Sequence, residues 1–181
     1  MGLPLLIALL LSLGLTKVHA QAVPANDGVP ASNRADLAQV PPRPPVESAQ
    51  AHAKLLFDAI VHDEPARAAE FFFPRDAFLL VKAMQKPERY WDKLRARFDQ
   101  DIHALHHNTP DLDKAEFERL ELTRRGGWVK PGEEGNHLPY WAARHAWLHY
   151  RVGKQKRKLE VRVLITWDDR WYVIHLSEFS H

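Results

Sequence analysis

The residues best equipped for chemistry fall into two groups, one at helical spacing and one at extended spacing. Asp99, His103 and His107 recur at every fourth position with His106 beside them, so a helix would carry the three along one side. Histidines four apart on a helix can share a divalent metal such as zinc, with the aspartate ligating it or orienting a ring. The competing explanation is structural. A histidine near a helix C-terminus is stabilised by the helix dipole without any ligand, and His106 continues the apolar stripe of the same helix. The second group is His149, Arg162 and His175, which meet only if three extended segments pair in a definite register.

Alternation supplies that register. Residues 144–152, 159–167 and 171–179 each alternate apolar and polar side chains. A tight turn at Asp168-Asp169 pairs Ile165 with Tyr172, Val163 with Ile174 and Val161 with Leu176. A longer turn over 153–158 pairs Tyr150 with Val161, Leu148 with Val163 and Ala146 with Ile165. All these pairs share one apolar face, where Tyr150 and Tyr172 are the polar-tipped residues that would line a pocket. The opposite face then carries Trp147, His149, Arg162, Leu164, Trp171, Val173 and His175. Tryptophans and aliphatics on a sheet surface require a cover. A second copy of the chain is one, a ligand or partner protein another, and the chain's own connection over 126–140, with Trp128, Tyr140 and Trp141, a third.

The remaining elements follow in order. Ala49, Ala53, Leu56, Phe57 and Ile60 give an amphipathic helix over 46–60, and Asp63-Glu64-Pro65 reads as a second helix start with Asp63 as N-cap. A short helix is expected over 77–84. The longest runs from Pro87 to about Asn108 on the stripe Trp91, Leu94, Phe98, Ile102 and Leu105. Residues 117–125 alternate as a fourth strand. The connection over 126–139, punctuated by glycine and proline, is long enough to lie at a working edge.

Upstream, the apolar run 3–15 followed by Val18-His19-Ala20 has the form of a signal peptide ending at Ala20, so the mature chain is expected to be secreted or periplasmic without a stable membrane span. Residues 21–45 are rich in proline and lack periodicity, which predicts a disordered linker ahead of a single domain over 46–181. The 181-residue chain has no cysteine, which excludes disulfides, thiolate metal sites and a cysteine nucleophile. A net charge of +2 is too small to imply a nucleic-acid partner, and the basic tip Lys154, Lys156, Arg157, Lys158 has no glycine-rich phosphate cradle beside it. The sequence also holds no Gly-x-Ser-x-Gly elbow, His-Glu-x-x-His helix or phosphate loop.

Helices first, a proline break, then a curved antiparallel sheet ending in Trp171-Tyr172-Val173-Ile174-His175-Leu176: this order resembles the nuclear transport factor 2-like, or cystatin-like, α+β superfamily over about residues 48–179. The resemblance implies a cone of helices on a sheet of about four strands with an interior pocket, and dimers through the outer sheet face. It implies no particular reaction. The reading is therefore an exported, non-catalytic binding or interaction module, cofactor-free, self-associating or binding an envelope protein or small ligand. The alternative is a small-molecule-binding or isomerase- or hydrolase-like protein using the space between helices and sheet.

Overall fold

The computed structural model describes residues 27–177, so the signal-peptide reading of 1–20 lies outside the described residues. Helices α1 (Gln50–His62), α2 (Arg75–Val81) and α3 (Pro87–Asn108) precede strands β1 (Ala115–Glu121), β2 (Gly126–Val129), β3 (Tyr140–Val152), β4 (Gln155–Trp167) and β5 (Arg170–His175). The strands form one open antiparallel sheet in the order β1-β3-β4-β5, with β2 also paired to β3. The class is α+β, as the sequence predicts. Among the described residues no helix is long and apolar enough to cross a membrane.

The apolar stripes do the packing. Ala53, Leu56, Phe57 and Ile60 of α1 and Leu94, Phe98 and Ile102 of α3 are all buried in the core. The end of α1 corrects an expectation: Asp63, at φ 56, is its left-handed C-cap and not the N-cap of a new helix. Its carboxylate is held by α3, with His103 Nδ1 at 2.5 Å from Asp63 Oδ1. That contact holds the carboxyl below its usual range. Pro65–Phe71 is a 3-10 helix, after which Phe73 N–H donates to Val173 O (3.0 Å) along the free edge of β5.

The β4–β5 turn has the expected form. Asp168 and Asp169 both have positive φ (52° and 56°), as a type I′ hairpin requires, and Ile165 pairs with Tyr172. The β3–β4 turn is tighter than expected. Gly153, at φ 57, and Lys154 close it, so Leu148 faces Leu159 in place of Val163. An even shift of register moves no side chain to the other face, so Ala146, Leu148, Tyr150 and Val161 remain buried. The alternation breaks elsewhere: register slips occur in β1 between Phe117 and Arg119 and between β4 and β5 at Val163/Leu164, and His145 takes φ 56 within β3.

From Asp27 onward the proline-rich stretch is a strap on the sheet and not the free linker that its composition suggests. Trp141 Nε1–H donates to Pro41 O and Trp171 Nε1–H to Pro44 O, both at 3.0 Å. The Arg43 guanidinium lies over the Trp171 ring, 5.2 Å from its centroid. Asn33, fully buried, donates to Pro139 O (2.9 Å) and accepts from Asp168 N–H (3.0 Å), which pins the β4–β5 turn. Proline brings a backbone already fixed in φ, so docking orders it at little entropic cost, and its carbonyls are free to meet the indole donors.

Candidate ligand cleft

The connection over 130–139 is stitched to the C-terminus of α2. His137 N–H donates to Val81 O (2.7 Å) and Ala83 N–H to Gly135 O (2.8 Å), on either side of an antiparallel bridge between Lys82 and Asn136. The other end of the connection is anchored by β2 against β3. Gly126, at φ 109, permits this: a Cβ there would sit 2.3 Å from Ala142 O.

This stitching closes one side of a cleft of about 100 Å³ between α2, α3 and the sheet. Phe78, Leu94, Val163, Ile165 and Ile174 make it apolar on most sides. Tyr90 and His175 also border it, and Lys82, Glu134, Tyr140 and Arg144 form a polar wall. That wall is a network. Lys82 Nζ donates to Asn136 Oδ1 (2.7 Å) and to Glu134 O (3.4 Å). Asn136 Nδ2–H donates to Tyr140 OH (2.8 Å), which donates to Glu134 Oε2 (3.1 Å). Glu134 Oε1 accepts from Arg144.

Burial sets the electrostatics. It pushes the Tyr140 phenol well above the usual tyrosine value, with the Glu134 carboxylate adding to the effect, so Tyr140 stays a protonated donor. It pulls the Lys82 ammonium below the usual lysine value, which Glu134 offsets in part. The wall therefore offers hydrogen bonds and positive charge beside an apolar chamber. It contains no paired nucleophile and base.

The pocket residues expected from sequence are elsewhere. Tyr150 packs on Phe57 (centroids 5.3 Å apart) and Tyr172 on Phe73 (5.9 Å), so neither borders the cleft. Lys82, Glu134, Asn136 and Arg144 were not singled out in the sequence reading. The one signal pointing to them was the long glycine-punctuated connection, which supplies Glu134 and Asn136.

The metal triad does not assemble. Asp99 accepts from Arg95 (2.9 Å), His103 turns to Asp63, and His106 Nδ1 lies 2.9 Å from Ile60 O. His107 stacks edge-on against His106. Side chains a turn apart are drawn to different partners here, and among the described residues no group of three or more His, Cys, Asp or Glu could hold a metal ion.

The expected partner surface also divides. Leu164, Trp171 and Val173 are at most 1 % exposed, so the apolar warrant for a dimer through them is gone. The strap covers Trp171, a cover the sequence does not announce beside the second copy, the ligand or partner protein and the connection over 126–140. The row His149, Arg162, His175 does not form either, because the tighter turn sets His149 opposite Lys158. What remains is a partly exposed lattice of polar and charged groups. His149 Nε2 lies 2.7 Å from Glu121 Oε2, Lys158 Nζ sits 3.8 Å from the Trp147 ring centroid, and His145 Nδ1 is 2.5 Å from Glu160 Oε1. Arg162 Nη1 is 2.9 Å from the same His145 nitrogen. One nitrogen cannot donate to Glu160 and accept from Arg162 at once. The carboxylate contact is the shorter, so Nδ1 carries the proton and Arg162 lies against the ring, 3.6 Å from Glu160 Oε1.

Compared with family models, curated proteins and solved structures, the chain matches none of them.

Proposed function

We propose that this chain is an exported, non-catalytic small-ligand-binding module whose site is the cleft between α2, α3 and the sheet. One observation carries the reading. The core is packed almost without exposure from Ala49 to Leu176, yet a chamber persists where a part-buried polar network meets an apolar wall. Convergent polar groups on an apolar cavity are the ordinary form of a ligand site. The position, between the longest helix and the sheet, is also where the nuclear transport factor 2-like resemblance expects a pocket. Export rests on the signal-peptide form of residues 1–20.

Size limits the ligand. An apolar cavity of about 150 Å³ holds a benzene molecule, so a chamber two-thirds as large takes roughly four non-hydrogen atoms. The outer sheet face competes poorly for the role, because its polar groups are already held by one another. The test is an NMR titration of the full mature chain with a panel of small organic molecules, charged and neutral. Shifts should cluster at Lys82, Tyr140, Ile165 and Ile174 and vanish in Leu94→Phe, which fills the chamber. Shifts that cluster on the outer face, or survive Leu94→Phe unchanged, overturn the reading.

A further inference from the structure

We infer that the occupant of the cleft is a short-chain carboxylate, its carboxyl group on Lys82 and its tail of about three or four carbons in the chamber bounded by Leu94, Ile165 and Ile174. This rests on the ligand-binding reading above and adds the chemical class. The first ground is charge. Facing the cleft are two fixed cations, Lys82 from the end of α2 and Arg144 from β3, against one carboxylate, Glu134 from the connection. Tyr90 of α3, Tyr140 of β3 and His175 of β5 add no carboxylate.

The second ground is how each charge is used. Both oxygens of Glu134 are committed, one to Arg144 and the other to Tyr140. Arg144 is thereby neutralised. Lys82 is not: an ammonium has three N–H groups, and the two acceptors it has among the described residues are neutral oxygens, Asn136 Oδ1 and Glu134 O. A part-buried cation whose hydrogen bonds go to neutral oxygens, with the Glu134 carboxylate offsetting its burial only in part, gains from an anion that brings its own charge, and a carboxylate supplies a charge-assisted hydrogen bond to the third N–H. An amine would meet a like charge, and an amide would bring no charge.

The third ground is geometry. The charged groups occupy one wall, with Tyr90 and His175 bordering the cleft outside it, so a molecule charged at one end and apolar along its tail fits the lining. The small chamber limits the tail, which excludes long fatty acids.

The experiment compares butyrate, butyramide and butylamine on the full mature chain, read by NMR shifts at Ile165 and Ile174 and by calorimetry near neutral pH. Butyrate should bind at least about tenfold more tightly than either neutral or cationic isostere, and hexanoate more weakly than butyrate. Lys82→Gln should abolish that preference while leaving weak butyramide binding in place. Lys82→Arg, which keeps the charge should the glutamine variant fold poorly, should retain the order of the three. Equal binding of butyramide and butyrate overturns the carboxylate assignment but leaves the cleft as a binding site. Absence of shifts from all three, while other molecules of the panel shift the cleft, also overturns it. Absence of cleft shifts from every molecule sinks the ligand-binding reading itself.

Discussion

Arg144 and His145 are neighbours on β3, yet they serve two polar clusters of opposite character. Arg144 belongs to the cleft, with Glu134, Tyr140, Asn136 and Lys82. His145, turned by its positive φ, belongs to the outer lattice with Glu160 and Arg162. The lattice is richer in histidine and carboxylate and looked the more chemical of the two in sequence. Its groups are partly exposed and already held by one another, so water and their neighbours satisfy them. The cleft's ion pair, Glu134 with Arg144, is as exposed as the lattice; its difference is Lys82, withdrawn from water beside empty apolar space and hydrogen-bonded to neutral oxygens. One withdrawn cation beside an apolar chamber, more than residue type, distinguishes the proposed ligand site from the outer lattice.

The sharpest break in this comparison comes from Gly126. Gly126→Ala forces a Cβ against Ala142 O at a positive φ, and should cost about 3 kcal/mol or more, read from urea denaturation midpoints. Because β2 anchors the connection that brings Glu134 and Asn136 to the cleft, NMR shifts of Lys82 and Tyr140 should change while those of Trp147 and His149 hold. Asn33→Ala should cost about 2 kcal/mol in the same assay, since it leaves the buried Pro139 O and the part-buried Asp168 N–H without their partner. Its effect belongs to the strap, so the cleft's ligand preference should be unchanged.

Tyr140→Phe is expected to cost about 1–2 kcal/mol by stranding Asn136 Nδ2 and one Glu134 oxygen. It also tests the electrostatics. Tyr140 ionises in the folded chain only above its unfolded value of about 10, so the unfolded chain loses its proton first and stability falls as pH rises through that region. Lys82 has the opposite sign: its folded value lies below the unfolded one, so rising pH relieves a cost of folding. Denaturation midpoints followed into alkali should fall less steeply in Tyr140→Phe, where Tyr172 still contributes, and more steeply in Lys82→Met. The smallest effect belongs to the lattice. Glu121→Gln removes one half-exposed partner of His149 and should change stability by no more than about 1 kcal/mol.

Much of the fold was legible because period and face are written in single residues. The stripe Leu94, Phe98, Ile102 defined α3, and the pair Ile165–Tyr172 set the last hairpin's register as far as Leu164, beyond which Val163 meets His175 and not the expected Ile174. The β3–β4 register was not legible, since Gly153-Lys154 can close a tight turn or begin a longer one and both leave the same face apolar. The strap was hidden for a different reason. Proline-rich sequence without period reads as linker whether or not two distant indoles, Trp141 and Trp171, stand ready to bind its carbonyls. The cleft was the least legible, because it depends on a backbone bridge between Lys82 and Asn136, far apart in the chain, that no local pattern announces.

The most direct measurement is a crystal structure of the chain from Gln21 onward soaked with butyrate. Density in the cleft with a carboxylate oxygen about 3 Å from Lys82 Nζ and the alkyl tail against Ile165 and Ile174 is the predicted result. Ordered butyrate only at the outer lattice, or an empty cleft at a concentration that saturates the calorimetric signal, would contradict it.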